Sequence, residues 1–348
     1  MHMSQKLNVI TGATGLVGSH IAEQLRGAGE RVRALVRPGS DTAFLRSIGV
    51  ELAEGDLVEP GSVARAVAGA DIVYHCAARV SNWGPWPEFE RDTAVPANNI
   101  VAACRRAGQP RLLHVSSISV YGHPKFGPGE SVAEEAPLGQ NYWVWDYYAR
   151  SKVLAEDIAR TYAPLTIVRP SWIYGTRDRI TIPRLVPALL GRRVPIIGPG
   201  DNVLNLIYAG DVAAGAILAA NHPGAVGQAY NLCSEGEVTQ LDMLNAMTDA
   251  IGIARISRRV PFGLALRFAF LKEVFAKMLR RREPPTITRF IVYLIGRRTQ
   301  YSIDKARRDL GWRPQVNIQD GLHRSLTWFH QVAPDVLPRL TLPVLATK

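Results

Sequence analysis

The 348 residues suffice for one large domain or two smaller ones, and 47% hydrophobic with 20% charged residues exclude a disordered, collagen-like or many-spanning membrane chain. Cys76, Cys104 and Cys233 are widely spaced, with no CxxC or Cys/His pattern, so neither a disulfide framework nor a zinc site is expected. The formal charge of +11 is local: between Arg255 and Arg298 twelve basic side chains face only Glu273 and Glu283, which argues against nucleic acid wrapping and for one basic surface.

From Met1 the chain runs within a few residues into an apolar strand, with no hydrophobic stretch ending at a small-residue cleavage site, so a cytoplasmic protein is expected. Up to about Val120 the runs LNVIT, RVRALVR, VELAEGD, ADIVYHCAA and PRLLHVSS alternate with helix-period segments, such as Ser19 to Gly29. Strands apolar for several residues in a row, each followed by a helix, predict parallel β/α units and a doubly wound sheet. Within the first unit, VITGATGLVGSH places Gly12, Gly15 and Gly18 between a strand and a helix, where bare backbone N–H groups face a pyrophosphate without side chains in the way.

Gly122 to Tyr142, rich in Gly, Pro and Glu, reads as a loop over the carboxyl edge of the sheet, and a helix is expected from about Asp146. On that helix Tyr148 and Lys152 are spaced i, i+4 and share a face, whereas Tyr147 points elsewhere. A phenol with a pKa of about 10 is a poor acid or base at neutral pH, and a neighbouring ammonium favours its ionised form. Upstream, LLHVSSISVYG ends a strand with hydroxyls at Ser116, Ser117 and Ser119. TIVRPSWIYG and LIYAGDVAAGAILAA read as later strands, the second leading into a helix that returns to the core. Beyond about Gln228 helices dominate. Val260 to Leu279 is apolar but broken by Arg267, Lys272, Glu273 and Lys277, too many charges for a spanning helix.

Glycine turn, serine-bearing strand end and YxxxK, in this order, resemble the extended short-chain dehydrogenase/reductase family over nearly the whole chain. The matching pieces are TGATGLVGSH, GDL at Gly55 to Leu57, HCAA at His75 to Ala78, VSSISVYG, YARSK, RPSWIYG and IYAGDVA. The resemblance implies an α/β fold: a Rossmann-type doubly wound parallel sheet with a smaller, mostly helical C-terminal substrate subdomain. Residues 1–175 would form the cofactor-binding core with the catalytic residues and 176–348 the substrate part, with a strand and helix returning to the core near 203–220 and a basic helical cap over 240–300. It implies Ser117 as the hydroxyl holding a substrate carbonyl, Tyr148 as proton donor, and Lys152 as both pKa-lowering group and ribose ligand. The cofactor would lie on Gly12, Thr14, Gly15, Leu16, Val17 and Gly18, with Asp56 and Leu57 at the adenine, Ala77 and Ala78 along its side, and Pro170 to Ile173 facing the nicotinamide. One departure is Thr93 in DTAVPANN, where families of this type often carry Asn.

NAD-preferring relatives place a carboxylate at the end of the second strand, whereas RALVRPGS offers Val36 and then Arg37. A guanidinium pairs with the extra phosphate of NADP, so NADP(H) is expected, with NAD(H) as the alternative if Arg37 is an ordinary surface residue. Leu204 in GPGDNVLNLIY stands where nucleotide-sugar members commonly carry a diphosphate-gripping Arg, and Ser117 is followed by Ile118 and Ser119 rather than the Asp-Glu of sugar dehydratases. What remains resembles the branch of 3β-hydroxysteroid and sterol dehydrogenases and bacterial 2-alkyl-3-oxoalkanoate reductases, through SNWGPW and EPPTITRFIVYLIGRRTQYSIDKARRDLGW. Dihydroflavonol-type reductases share RALVRPGS.

The implied activity is oxidoreduction of a secondary alcohol and ketone on a small hydrophobic, steroid-like or β-keto acyl substrate, in a site that could use Trp83, Trp86, Trp143, Trp145 and Trp172. Alternatives are a sugar epimerase with a tightly held cofactor, against which Leu204 counts, and a non-catalytic NADP sensor. Two readings of the basic segment 255–298 stand: a lid whose basic side meets anionic membrane, or a cap whose arginines face water. A homodimer through the helix pair that includes YARSK is implied by resemblance alone.

Overall fold

A computed structural model of the chain describes residues 5–124, 130–235, 238–297 and 299–341. Arg298 and part of the loop expected between Gly122 and Tyr142 therefore lie outside the described residues. The first half alternates as expected: β1 (Leu7–Thr11), α1 (Leu16–Gly27), β2 (Arg31–Val36), α2 (Ala43–Ser47), β3 (Glu51–Glu54), α3 (Pro60–Val67) and β4 (Ile72–His75). Next come α4 (Trp86–Phe89), a π-helical turn (Glu90–Ala94), α5 (Val95–Arg106), β5 (Arg111–Val115), a 3-10 turn (Ile118–Tyr121), β6 (Ser131–Val132) and α6 (Tyr147–Arg160). TIVRPSWIYG divides into β7 (Leu165–Pro170) and β8 (Trp172–Tyr174), followed by α7 (Thr181–Leu190), β9 (Ile196–Ile197), β10 (Leu206–Tyr208), α8 (Ala209–Asn221) and β11 (Ala229–Leu232). The chain ends with α9 (Gln240–Ile251), β12 (Arg259–Val260), α10 (Phe262–Met278), α11 (Arg289–Gly296), β13 (Gln300–Tyr301), α12 (Asp304–Leu310) and α13 (Ile318–Val332).

Seven strands pair in the order β11-β7-β5-β4-β1-β2-β3, every neighbouring pair parallel. All five residues of β1 are buried, as a parallel strand covered on both faces requires. On one face Ile21, Ala22 and Leu25 of α1 meet Val212, Ala213 and Ala216 of α8, whose small side chains let the helices approach. On the other, Val63, Ala66 and Val67 of α3 pack with Ile100, Val101 and Cys104 of α5. The strand order reverses between β1 and β4, which opens a crevice at their carboxyl ends, the place where doubly wound sheets take ligands.

The remaining helices form a smaller, mostly helical part. Val186, Leu189, Met247, Leu326 and Phe329 from α7, α9 and α13 close over β8 and β10. A separate small cluster, Ala265, Ala269 and Val292 with Ile197, holds α10 and α11 together. This part is tied back to the sheet by β13, which pairs with β6, and by Asn231 of β11. The Asn231 amide donates to Val132 O and Ser302 O at 3.2 and 3.1 Å, and its oxygen accepts from the Tyr121 hydroxyl at 2.7 Å.

Candidate active site

The turn after β1 is built for a close-lying anion. Gly12 has φ +70, and a Cβ there would come within 2.8 Å of the Ala77 backbone nitrogen, so only glycine lets the loop after β4 pack on this turn. A Cβ on Gly18 would collide with the Gly12 carbonyl. α1 starts with no side-chain cap and no acidic residue in its first turn, which leaves the N–H groups of Leu16, Val17 and Gly18 for a ligand phosphate. Thr14 is half-buried beside them. These are the features a dinucleotide pyrophosphate requires, and the residues present fit it.

Because the sheet is all parallel, the other residues singled out in the sequence fall along the same edge. Arg37 follows β2, exposed and, among the described residues, without a side-chain hydrogen bond or ion pair; Asp56 and Leu57 follow β3; Ala77 and Ala78 follow β4. Ser117 follows β5, Pro170 ends β7 and Ile173 lies in β8. Asp56 Oδ1 accepts from the Val58 N–H at 3.1 Å, and Asn99 Nδ2 donates to Leu57 O at 2.8 Å, which fixes that corner. Thr93 lies in the π-helical turn and its hydroxyl accepts from the Arg79 N–H at 3.2 Å, so it anchors the backbone that follows Ala77 and Ala78.

Ser117 is extended, and its Oγ accepts from the Ser119 N–H at 3.1 Å as it caps the 3-10 turn. Its own proton is then available to a second acceptor. Tyr148 and Lys152 share the inner face of α6. Burial raises the Tyr148 phenol above its ordinary value, opposed by the hydroxyls of Ser117 and Ser119 that approach it. Lys152, one turn further on, donates its ammonium to Val115 O at 2.8 Å. Burial also brings Lys152 down to about 8, against the opposing pull of Cys76 and Glu156. Under it, His75 is held neutral, pushed down to about 3 by burial and then by the charge of Lys152, and Thr11 Oγ1 lies 2.8 Å from its Nδ1.

Behind α6 lies a buried ion pair. Glu156 is 0% exposed and Arg169 of β7 1%; Arg169 Nε donates to Glu156 Oε2 at 3.2 Å, and Nη2 to Oε1. Ser116 Oγ donates to the same Oε2 at 2.8 Å, so the pair fixes the strand end that presents Ser117. Burial alone would raise the Glu156 carboxyl, but Arg169, Arg160 and Ser116 outweigh it and the net shift is downward.

Tyr148 opens on a pocket that the sequence pointed to only in part. Trp83, Trp143 and Trp145 line it, as expected; Trp86 instead packs edge-on against Tyr147 at 5.8 Å, and Trp172 is packed into the C-terminal core. Beside the carboxylates of Asp146 and Glu273, the lining also holds Asn82, Lys277, Arg289 and Phe290. Sequence reasoning missed these four as site residues, since α10 and α11 come together with Tyr148 only in the folded chain. Leu204 is 1% exposed in the core beneath α9. An arginine there would first test folding, so its identity says little about diphosphate binding. Among the described residues no cluster of His, Cys, Asp and Glu could hold a metal, and the three cysteines are free.

Residues 8–233 match the profile described as the NAD dependent epimerase/dehydratase family. The chain belongs to this family. It is thereby an NAD(P)-dependent enzyme of the dehydrogenase and reductase type, in accord with its curated relatives. It is 33% identical to the 2-alkyl-3-oxoalkanoate reductase of Stenotrophomonas maltophilia, over 91% of this chain and 97% of that protein. It is 27% identical to the sterol-4-alpha-carboxylate 3-dehydrogenase, decarboxylating, of Mus musculus, over 95% of this chain and 93% of that one. Among solved structures, that of gox2253 superposes with a TM-score of 0.78 at 27% identity, covering 94% of this chain and 99% of its own. The UDP-glucuronic acid 4-epimerase of Bacillus cereus in complex with NAD, at 20% identity and a TM-score of 0.73, shares the fold over 94% of this chain and 99% of its own.

Proposed function

We propose that this family member uses NADPH to reduce the ketone of an apolar 3-oxo acyl or steroid-like substrate, and runs the reverse oxidation when cofactor ratios demand it. The observation that carries the reading is the Tyr148 phenol, kept protonated by burial against two serine hydroxyls and opening on an aromatic pocket. Residues 1–175 would hold the cofactor and catalytic groups, and 176–348 would supply the substrate side. Gly12, Thr14, Gly15, Leu16, Val17 and Gly18 would hold the pyrophosphate, Asp56 and Leu57 the adenine side, Ala77 and Ala78 the flank, and Pro170 to Ile173 the nicotinamide edge. When bound, the nicotinamide supplies or accepts the hydride. Ser117 donates its free proton to the substrate oxygen, Tyr148 passes its phenolic proton to that oxygen as charge develops, and Lys152, with two N–H donors left, holds the ribose hydroxyls. Similarity to the 2-alkyl-3-oxoalkanoate reductase and the sterol-4-alpha-carboxylate 3-dehydrogenase supports the substrate class.

The test is NADPH absorbance with purified protein and two panels, 2-alkyl-3-oxo acids with 3-ketosteroids against nucleotide sugars. Net NADPH consumption on the first panel is the expected result. An isomerised sugar with no net cofactor change would replace this reading by the epimerase one. For cofactor choice, Arg37→Asp should remove the partner of the 2′-phosphate and shift the NADPH/NADH preference in kcat/KM by about 100-fold or more towards NADH. An unmoved ratio would remove Arg37 from cofactor selection.

A peripheral contact with anionic membrane is part of the proposal, because α10 carries an apolar stripe on its outer face. Leu264, Phe268, Leu271, Phe275 and Met278 recur at helical spacing and are 60%, 51%, 64%, 59% and 75% exposed. Exposed Arg267, Lys272, Arg280, Arg281 and Arg282 accompany them, each able to add about 1 kcal/mol at an anionic surface. No helix among the described residues is long and apolar enough to cross a membrane. A cytoplasmic enzyme lying on the bilayer would present its pocket-lining helix to a lipid-like substrate. Changing Phe268, Leu271 and Phe275 together to Asp should cut co-sedimentation with vesicles of phosphatidylcholine and phosphatidylglycerol by about 100-fold. Wild-type protein that leaves such vesicles in the supernatant would refute the contact. The homodimer through α5 and α6 stays a proposal from resemblance; its α6 surface would bring the exposed Arg150, Asp157 and Arg160 into the interface.

A further inference from the structure

Two cations line the Tyr148 pocket, and among the described residues only Arg289 forms an ion pair. Arg289 Nε donates to Glu273 Oε2 at 2.7 Å, and the Arg289 N–H to the other oxygen of that carboxylate at 2.7 Å. Lys277, one turn further along α10, reaches away from that pair. Its Nζ donates to Gly84 O at 3.2 Å and lies 4.4 Å from the ring centre of Trp83 and 5.7 Å from those of Trp145 and Tyr147. Among the described residues no carboxylate stands within ion-pair distance of it. A neutral carbonyl and three aromatic faces steady the ammonium without an ion pair and leave two of its N–H donors for a further acceptor. Lys277 is half-buried, and burial pushes its pKa down against the opposing charge of Glu273.

We infer that Lys277 holds the carboxylate of a 3-oxo acid in the Tyr148 pocket and thereby sets a preference for β-keto acids over neutral ketones. The inference rests on the reductase reading above. A β-keto acid loses carbon dioxide most readily as the neutral acid, when the carboxyl proton passes to the ketone oxygen while the bond to the carboxyl carbon breaks. An ammonium paired with the carboxylate favours the ionised form and takes that proton out of reach. The substrate is then still whole when a hydride reaches the carbonyl carbon and the Tyr148 proton its oxygen, and the carboxylate leaves the site unchanged.

The experiment compares kcat/KM for a 2-alkyl-3-oxo acid and for its methyl ester in wild type, Lys277→Met, which keeps an unbranched stem against Trp83, and Lys277→Arg, which keeps the charge. The acid-over-ester preference should fall about 30-fold or more in Lys277→Met and return to within about tenfold in Lys277→Arg. Equal losses on acid and ester, or an unmoved preference, would overturn the assignment. A second arm needs no turnover: quenching of tryptophan fluorescence by a 2-alkylalkanoate, which has no ketone, and by its methyl ester. Lys277→Met should weaken the acid by a similar factor relative to the ester, with NADPH affinity within about twofold as the control for folding. If the wild type reduces neither substrate yet binds the acid through Lys277, the reductase reading falls and the carboxylate site stands. If it reduces both and Lys277→Met moves neither preference, the site falls and the reductase stands.

Discussion

Tyr148→Phe should lower kcat for ketone reduction by about 10³-fold, within the range of about 10² to 10⁴ that a positioned proton donor contributes, while NADPH affinity stays within a few-fold. The separation follows from the geometry. The ring packs edge-on against Phe290 at 6.2 Å, and phenylalanine preserves that contact. What disappears is the hydroxyl that Ser117 and Ser119 approach. Since burial raises this phenol, it carries its proton throughout the neutral range and is ready to act as an acid; the oxidation direction would need a base and should be slower near neutrality. Steady-state NADPH consumption and a fluorescence titration of NADPH on the same preparation provide the two numbers. Turnover equal to wild type would take Tyr148 out of the mechanism.

The second large effect is on stability. Arg169→Met should destabilise the fold by about 3–5 kcal/mol, because it leaves Glu156 buried with a missing partner rather than removing a surface contact. For a chain of this size that corresponds to a fall in Tm of roughly 4–7 °C. Adding Glu156→Gln to Arg169→Met should recover part of the loss, since the uncompensated charge is then gone. A melting midpoint equal to wild type in the single variant would mean that water or Arg160 satisfies the carboxylate. The pair also carries a pH dependence. The folded-state pKa of Glu156 is depressed, so its stabilisation is fully present above the unfolded value of about 4.3 and is lost as pH falls through the folded one. Arg169→Met should therefore narrow the gap to wild type in acid.

The sheet was legible because its strands are covered on both faces. LNVIT and LLHV are buried along their whole length and mostly apolar, and in a parallel sheet strands of that kind alternate with helices, so pattern alone predicts the order of units. The edge strand β11 was harder to see: AYNL is short and mixes Tyr and Asn with aliphatics, and the Asn231 hydrogen bonds add to the burial of its neighbours. The residues at the carboxyl ends of strands could be read from their local strand-turn-helix context. The pocket walls could not. Lys277 and Phe290 sit on helices whose sequence records amphipathicity but not which helix they face, and Lys277 in particular reads as one more cation in a basic stretch. Spacing i, i+4 places Lys152 beside Tyr148 along the helix, but it does not record the backbone carbonyl at the end of β5 that the ammonium also meets.

Asn231 joins three stretches that are far apart along the chain: the turn that contains Tyr121, the strand at Val132, and Ser302 just after β13. During synthesis the first two leave the ribosome long before the third. A nascent chain can assemble the early β/α units from local contacts, but the wall that positions Ser117 acquires its last partner only when Ser302 emerges. Long sequence separation of this kind slows the closing of contacts, so the Asn231 junction is expected to form late in folding.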